Sequence, residues 1–212
     1  MDLIAMFQDG GPFMWPILVC GVFSAAICLE RIWFLYLQAS ISAQAFIGQI
    51  QKLVLADNID RAIKTCNAQP AAMLPRVFKA ALLRANESES DIASAVEEAT
   101  LEVGPLVNRR SGHLGMLANV STLLGLLGTI QGLINAFDAV ANASAEAKSS
   151  LLAGGISIAM YTTFAGLLVA IPTLVLQSVI LARATQILDE VDEHGLKLVN
   201  LLSARRRGRF GA

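Results

Sequence analysis

The chain has 212 residues, of which 55% are hydrophobic and 16% are charged, and its formal net charge is −1. Because an ordinary soluble domain carries about 25% charged residues, this composition excludes that class and indicates a membrane protein. A net charge so close to zero also argues against a nucleic-acid-binding protein, which carries an excess of basic residues.

Three long stretches of the chain contain no charged residue: 10–29, 111–137 and 149–182. A helix of about 20 residues crosses the roughly 30 Å of hydrocarbon in a bilayer, so each stretch is long enough to span it. We therefore predict three transmembrane helices, near 13–37, 114–137 and 151–181. The predicted class is an all-α membrane protein with three transmembrane helices and long helical cytoplasmic extensions.

The first uncharged stretch is interpreted as a retained membrane span and not as a signal peptide. Met1 and Asp2 form an acidic start where a basic region is expected, and no small-residue cleavage site precedes Glu30 and Arg31. Glu30 and Arg31 stand at the predicted inner boundary, where an ion pair between them is the simpler interpretation. A proton relay through Glu30 is the alternative.

Residues 38–112, between the first two predicted spans, alternate helix-period runs of apolar residues with stop signals. Asp57 is expected to cap the first run, and Pro75 is expected to start the second. No period-2 alternation of apolar residues indicates a strand in this segment. We therefore predict amphipathic helices here, with charged residues on their solvated faces.

Two boundaries are predicted from single residues. Ser88 or Ser90 is expected to open the third run, which ends before Gly104-Pro105 because proline disrupts a helix interior. The last uncharged stretch is longer than the hydrocarbon requires, and its apolar spacing continues beyond it. The last helix is therefore expected to continue into the cytoplasm as one long helix, with Gly195 as a candidate break.

Lysine and arginine set the predicted orientation, because they are enriched in the cytoplasmic loops of membrane proteins. They are frequent in 38–112 and in the tail, whereas the residues before the first span contain none and the 138–150 hairpin contains only Lys148. The N-terminus and the hairpin are thus predicted to be periplasmic. The arginine-rich tail is interpreted as a cytoplasmic anchor, and contact with anionic lipid or with nucleic acid is an alternative that this role does not require.

The predicted organisation has four parts. They are the periplasmic N-terminus with the first transmembrane helix (1–37), a cytoplasmic helical segment (38–113), the second and third transmembrane helices with a short periplasmic hairpin (114–182), and a cytoplasmic helical extension with the basic tail (183–212).

Small residues recur at steps of three and four along the second and third predicted spans. This spacing places them on one face of each helix. Because lipid provides little hydrophobic force between helices, such faces promote association by allowing close approach of the backbones. The predicted helix-packing residues are Gly125, Gly128, Gly132, Gly166 and Ala170.

Threonines accompany these small-residue faces. Thr129 lies on the first face, Thr163 on the second, and Thr162 beside Thr163. A membrane threonine can bond to a carbonyl of the preceding turn, so helix packing is one interpretation. The other is a narrow polar lining, too weak to hold a charge alone, which makes Thr129, Thr163 and Thr162 the candidate ion-pathway residues.

Two motifs carry a resemblance to a known family. LLGLLGTIQGL (123–133) resembles the second-span signature of the ExbB/TolQ/MotA proton-channel family, and TTFAGLLVAIP (162–172) resembles its third-span signature. GGPFMWPIL followed by LERIWFL is similar to the first span of the ExbB-like branch. Together the three segments cover all the predicted spans in the family's order.

The resemblance implies a pentamer in the bacterial inner membrane that surrounds the helices of a dimeric ExbD/TolR/MotB-type partner. That single-span partner would carry the ion-binding Asp, and ion flow would drive motion of one component relative to the other. Thr129 and Thr163 would occupy the positions of the channel-facing threonines. ExbB and TolQ proteins commonly have a glutamate five residues before the second threonine, where this chain has Ile158.

With isoleucine at position 158, the chain lacks one candidate carboxylate for handling the ion. The driven process is therefore left open between surface motility, nutrient import and envelope maintenance. A passive scaffold whose glycines serve packing alone is the main rival, and a sodium-driven motor is a further alternative. The predicted spans contain no HExxH motif, no Asp/Glu pair and no nucleophile with a base, so we do not expect an enzyme. We expect no metal and no cofactor, because the cysteines and histidines lack ligand spacing.

Overall fold

The structure is a computed structural model that describes residues 10–39, 43–141 and 143–210, with side chains as far as 208. Within these residues it contains α-helices and one π-helical turn, and no β-strand. The elements are α1 (Met14–Trp33), the π-helical turn (Phe34–Gln38), α2 (Ala43–Leu55), α3 (Ile59–Asn67), α4 (Met73–Leu83), α5 (Glu89–Asn108), α6 (Ser111–Ala141) and α7 (Lys148–Phe210).

Three helical stretches, which include α1, α6 and most of α7, are long and apolar enough to cross a membrane. This confirms the predicted all-α class with three membrane-spanning helices and long helical extensions. The helix α7 has 63 residues, about three times the length that the hydrocarbon of a bilayer requires. The prediction of one long last helix is therefore confirmed.

The break suggested at Gly195 was wrong, because α7 continues through it. A Cβ atom at Gly195 would lie 2.9 Å from the Cγ1 atom of Val96 on α5. The absence of a side chain at this position lets α7 approach α5 closely, and this close packing accounts for the glycine without a helix break.

The described chain divides into two compact units. The first comprises the residues up to Leu29 together with Arg110–Val179, and the second comprises Glu30–Arg109 together with the residues from Ile180 onward. In the first unit, buried apolar residues of α1 and α7 form a cluster against which residues of α6 and α7 pack. They are Met14, Ile17 and Ala165, with Leu124 and Val169 beside them.

In the second unit, α2, α3, α4 and α5 pack against one another in chain order. The central helix is α4, which buries seven of its 11 residues. The aromatic rings of Phe46 on α2 and Phe78 on α4 lie 5.6 Å apart between centroids. Apolar residues of α7 are also buried in this unit, including Ile180, Ile187 and Leu202.

The predicted helix boundaries of the second unit were partly right. Ser88 caps α5 through a capping box, in which its hydroxyl accepts from the Asp91 N–H and the Asp91 carboxylate accepts from the Ser88 N–H. The expected cap at Asp57 was wrong, because Asn58 occupies the N-cap position of α3. The carboxylate of Asp57 instead accepts a hydrogen bond of 2.7 Å from Arg205 Nε.

The expected stop before Gly104-Pro105 was also wrong, because α5 continues to Asn108 with Pro105 inside it. Proline removes one backbone donor and costs about 3 kcal/mol in a helix interior. Val103 and Val107, on either side of Pro105, are both buried. Burial of such side chains contributes about 1.5–3 kcal/mol each, which offsets the loss.

The C-terminal end of α1 carries the predicted ion pair, with Arg31 Nη2 located 3.6 Å from Glu30 Oε1. Arg31 is almost completely buried, with 3% of its surface exposed. Its Nη1 atom donates to the carbonyl oxygens of Leu106 and Val107, each at 3.4 Å. These carbonyls belong to the last turn of α5, so Arg31 provides donors for groups that have no partner within the helix.

Candidate ion-pathway site

The backbones of α6 and α7 approach each other closely at two glycines of the first unit. A Cβ atom at Gly166 would lie 2.7 Å from the Ser121 carbonyl oxygen and 3.1 Å from the Gly125 Cα atom. A Cβ atom at Gly125 would lie 3.0 Å from the Thr162 carbonyl oxygen. Only glycine fits at these two positions without a shift of the backbone. We call this contact surface the α6–α7 seam.

The other predicted packing residues lie close to this contact or are buried on α7. A Cβ atom at Gly128 would meet the Thr162 side chain at 2.7 Å, and one at Gly132 would meet the Ala159 Cβ atom at 3.1 Å. Ala170 is buried on α7, with 2% of its surface exposed. The structure thus brings together all four predicted glycines within a single chain.

Thr129 and Thr163 face each other across the seam, and their hydroxyl oxygens are in direct hydrogen-bond contact. We call them the threonine pair. The Thr129 hydroxyl also lies 3.1 Å from the Gly125 carbonyl oxygen and 3.3 Å from that of Ala159. The Thr163 hydroxyl lies 3.3 Å and 3.5 Å from the same two carbonyl oxygens. Two hydroxyls and two carbonyls therefore form one cluster.

The chemistry of this cluster follows from its donors and acceptors. Each hydroxyl has one proton to donate and two lone pairs that accept, and each carbonyl oxygen only accepts. The two protons are used within the cluster, and lone pairs remain. Because both threonines are only half-buried, the pair is able to accept a hydrogen bond from a group outside the chain. It has no ionisable group with which to hold a charge.

Thr162, the third candidate, occupies a different environment. It is buried, and its hydroxyl donates to the Ala159 carbonyl oxygen of its own helix at 2.8 Å. Its side chain fills the space left open by Gly128. This geometry favours a packing role for Thr162.

Two further polar side chains bond between α6 and α7 and were missed by the sequence analysis. Ser121 is fully buried, and its hydroxyl donates to the Gly166 carbonyl oxygen at 3.2 Å. The Gln177 amide lies against Gly115 and donates to the Ser111 carbonyl oxygen at 3.4 Å. Ser121 precedes Gly125 by four residues, so its helical spacing was a signal that could have identified it.

The described parts of the predicted spans contain one carboxylate, Glu30 near the end of the first span, and Asp138 directly follows the second span. Ile158, five residues before Thr163, is 39% exposed. No group of three or more His, Cys, Asp or Glu residues suited to a metal ion occurs within the described residues. The arrangement therefore provides hydrogen-bond partners along a helix seam.

The comparisons with known proteins agree with the resemblance. A profile described as the MotA/TolQ/ExbB proton channel family matches residues 69–193. The chain is 32% identical over 171 residues to the putative biopolymer transport protein ExbB-like 3 of Synechocystis sp., with 80% of each chain covered.

Two further relatives match over most of their length. The biopolymer transport protein exbB1 of Vibrio cholerae is 26% identical over 197 residues, which cover 92% of this chain and 85% of that protein. A putative biopolymer transport protein ExbB homolog of Methanothermobacter thermautotrophicus is 26% identical over 190 residues, which cover 90% of this chain and 67% of that protein.

Proposed function

Because the chain belongs to the MotA/TolQ/ExbB proton channel family, we propose that it is an ion-conducting stator subunit that converts proton-motive force into mechanical work. The observation that carries this proposal is the threonine pair, two hydroxyls that meet across a seam closed by glycines. The lone pairs that the two hydroxyls retain offer hydrogen-bond acceptors at this point, which glycine and alanine side chains alone would not provide.

The ion carrier in this proposal comes from another chain. Intramembrane carboxylates are the usual proton carriers, and the one carboxylate within the described spans, Glu30, lies near the end of α1 and pairs with Arg31. We propose an ExbD/TolR/MotB-type single-span partner that supplies an Asp. A protonated Asp donates a hydrogen bond to a hydroxyl lone pair, and an ionised Asp accepts a hydrogen bond from a hydroxyl that rotates away from its carbonyl acceptor. The threonine pair therefore offers a partner to the carrier in both of its protonation states.

The proposed assembly is a pentamer around a partner dimer in the bacterial inner membrane. The charge distribution supports a periplasmic N-terminus and a cytoplasmic C-terminus, because the basic residues are concentrated in 38–112 and in the tail. We propose the same four-part organisation as the sequence predicts, with parts that comprise residues 1–37, 38–113, 114–182 and 183–212. The names of the relatives, which are biopolymer transport proteins, support transport as the driven process over motility.

A specific observation favours a passive scaffold as the second candidate. Both hydroxyls of the threonine pair have carbonyl acceptors within 3.1–3.5 Å, so their protons are satisfied without any ion or partner. In a scaffold the pair would lock α6 to α7, as hydroxyls at membrane helix interfaces do for about 1 kcal/mol each.

Reconstitution into vesicles separates the two candidates. The chain is incorporated with its single-span partner, a pH gradient is imposed, and internal pH is followed with a trapped dye. We expect proton flux only when both chains are present and only when the partner's Asp is intact. The same assay with sodium as the only gradient tests the sodium-driven alternative. An absence of flux under both gradients would favour the scaffold.

A further inference from the structure

A cleft of about 510 Å³ lies between α2 and α3 in the second unit. Two of its lining residues are basic, Arg61 and Lys64 on α3, and among the described residues that line the cleft none carries a carboxylate. Its other polar groups are the amides of Gln49 and Gln69 and the hydroxyl of Thr65. The cleft therefore presents two positive charges at a concave surface. We call it the basic cleft.

No ion pair neutralises either basic side chain within the described part of the chain. Asp60 lies one turn before Lys64, but it forms no ion pair with the described residues either. Arg61 and Lys64 are three positions apart on α3, so they are neighbours on one face of the helix, where like charges repel each other. A bound anion would offset this repulsion.

The lining of the basic cleft also contains more hydrogen-bond donors than acceptors. Guanidinium and ammonium groups only donate, and a glutamine amide has more N–H donors than carbonyl acceptors. The proton of the Thr65 hydroxyl is already used, because this hydroxyl donates to the Arg61 carbonyl oxygen at 3.0 Å. A ligand that suits this lining is therefore negatively charged and rich in acceptors.

A phosphoryl group has both of these properties. A phosphate monoester carries about two negative charges near neutral pH and has several strong acceptor oxygens. Arginine binds phosphate through two parallel hydrogen bonds, and lysine binds it as a compact charge. A single carboxylate would leave one of the two cations unpaired. The volume of about 510 Å³ is within the range of roughly 300–1,000 Å³ for small-molecule sites, so an attached organic group has room as well.

The position of the basic cleft within the second unit decides between a lipid headgroup and a soluble ligand. Near the predicted end of the first span, the Arg183 guanidinium lies 5.5 Å from the centre of the Tyr36 ring. Further along α7, Arg205 bonds to Asp57 in the turn before α3. At a rise of about 1.5 Å per residue, these two contacts are about 33 Å apart along α7. The turn at Asp57 is therefore far from the end of the span.

The helix α3 returns from that turn toward the first span, because the Met73 N–H that follows it donates to the Ala39 carbonyl oxygen at 3.2 Å. Along α3, Arg61 and Lys64 lie only about 6 Å and 10 Å from the turn. Both charges are thus more than about 20 Å beyond the level of Tyr36. The headgroup region of a bilayer extends only about 5–8 Å from the hydrocarbon. A lipid headgroup is therefore out of reach, and the ligand is a soluble molecule.

We propose that the basic cleft binds a soluble phosphate ester. Arg61 and Lys64 hold its phosphoryl group, and the amides of Gln49 and Gln69 bond to the remaining oxygens or to the attached organic group. The site lies in the second unit, whereas the threonine pair lies in the first. The proposal therefore goes beyond the proposed ion pathway and does not depend on conduction.

Binding of inorganic phosphate to the full-length chain tests the site. The chain is placed in phosphatidylcholine nanodiscs, and binding is followed by phosphorus NMR while chloride keeps the ionic strength constant. We expect saturable binding with a Kd of about 1 mM or tighter. The double variant Arg61→Gln and Lys64→Gln should lose at least about tenfold in affinity, because the charge-assisted hydrogen bonds to the phosphoryl group are lost. Both side chains are exposed, so the variant is expected to fold normally.

The matched control is the double variant Lys197→Gln and Arg207→Gln. It also removes one lysine and one arginine, both at exposed positions of α7 that do not line the cleft. Its affinity should stay within about twofold of the parent, because distant exposed charges are screened by salt. Nanodiscs that also contain phosphatidylglycerol should give the same affinity, since the cleft is further from the bilayer than the screening length of about 8–10 Å.

Two results would overturn the proposed site. One is the absence of saturable binding below about 10 mM phosphate, and the other is an equal loss of affinity in the two double variants, which would indicate a general effect of surface charge. Competition between phosphatidylglycerol and phosphate would overturn the soluble ligand, because it would assign the cleft to a lipid headgroup.

Discussion

The hydroxyls of Thr129 on α6 and Thr163 on α7 are in direct hydrogen-bond contact, although 34 residues separate them in the chain. The contact exists because Gly125 and Gly166 bring the two backbones together on the preceding and following turns. Loss of either hydroxyl therefore changes the chemistry of the seam and leaves its shape intact, since the nearest apolar substitute, valine, is nearly isosteric with threonine.

The first prediction concerns ion flux through the threonine pair. We expect the double variant Thr129→Val and Thr163→Val to assemble with its partner and to lose at least tenfold in proton flux, because the carrier loses its hydrogen-bond partners. Each such bond is worth about 0.6–2 kcal/mol, too little for its loss to prevent assembly. Flux is measured in vesicles, and assembly is measured by size-exclusion chromatography in detergent.

The matched control for the threonine pair is Thr122→Val. Thr122 is on the same helix, and its hydroxyl donates to the Ala118 carbonyl oxygen of that helix at 3.1 Å. This change should leave flux within about twofold of the parent, since loss of an intrahelical bond of this kind changes little. Proton flux equal to that of the parent in the double variant would show that the threonine pair serves helix packing alone.

The second prediction concerns the glycines of the seam. Gly128→Leu places a side chain where even a Cβ atom would lie 2.7 Å from Thr162. Overpacking of this kind typically costs 1–3 kcal/mol or more, so we expect a lower melting temperature and loss of the assembled complex. Gly166→Leu should act in the same way, because its Cβ atom would meet a carbonyl oxygen of α6.

Gly154→Leu is the control for these substitutions. It also lies on α7, but an added Cβ atom has no heavy atom within 4 Å. We expect its melting temperature to stay close to that of the parent, as measured by intrinsic fluorescence in detergent. Equal effects of Gly128→Leu and Gly154→Leu would show that the close approach at the seam does not determine stability.

The third prediction concerns the buried Arg31. Arg31→Met removes the donor from the Leu106 and Val107 carbonyl oxygens and removes the ion pair between Arg31 and Glu30. We expect a loss of about 1–3 kcal/mol of stability at the end of α5, the usual cost of an unsatisfied buried group. Hydrogen exchange of the amides near Val107 should accelerate by at least fivefold.

Arg84→Met provides the comparison for Arg31. The Arg84 side chain is 45% exposed and lies 4.0 Å from Glu87, and exposed ion pairs contribute about 0–1 kcal/mol. Its removal should leave exchange near Val107 unchanged. If Arg31→Met also had no effect on this exchange, the contact with the last turn of α5 would not be stabilising.

The fourth prediction concerns the reactivity of Cys66. Burial raises the pKa of the Cys66 thiol to about 11, although the charge of Lys79 opposes the shift. Thiolate is the reactive form, and at pH 8 a thiol of this pKa is about 0.1% ionised, against about 25% for an ordinary cysteine. We expect maleimide to label Cys66 at least tenfold more slowly than a cysteine introduced at the neighbouring exposed position, Asn67→Cys.

The labelling rate of Cys66 should rise as the pH is increased from 8 to 10, because the thiolate fraction grows while the pH stays below the raised pKa. The rate of the Asn67→Cys control should level off earlier, near its ordinary pKa. Equal rates for the two cysteines at pH 8 would contradict the burial of Cys66.

The fifth prediction concerns orientation. A reporter fused after Arg209 should be active only in the cytoplasm, and one inserted near Ser144 should be active only in the periplasm, because basic residues are retained on the cytoplasmic side. At each of the two sites, an alkaline phosphatase fusion tests for a periplasmic location and a fluorescent protein fusion tests for a cytoplasmic one. Reversed signals would overturn the proposed topology.

The sequence by itself determined the membrane-spanning stretches, the helical class, and the glycines and threonine pair of the seam. These features depend on hydropathy and on a spacing of three or four residues, which are local properties of the chain. The cap at Ser88 was also predictable from the sequence, because a capping box involves residues only three positions apart.

Only the tertiary structure decided which polar groups meet. It joined Thr129 to Thr163 and turned Thr162 toward Gly128. It paired Asp57 with Arg205, 148 residues away, although the local pattern had suggested a helix cap. Such contacts depend on how separate helices pack. Depending on the helix that lies against it, the same residue can cap a helix, break a helix or allow two helices to approach closely. The pattern along one helix contains no information about that neighbour.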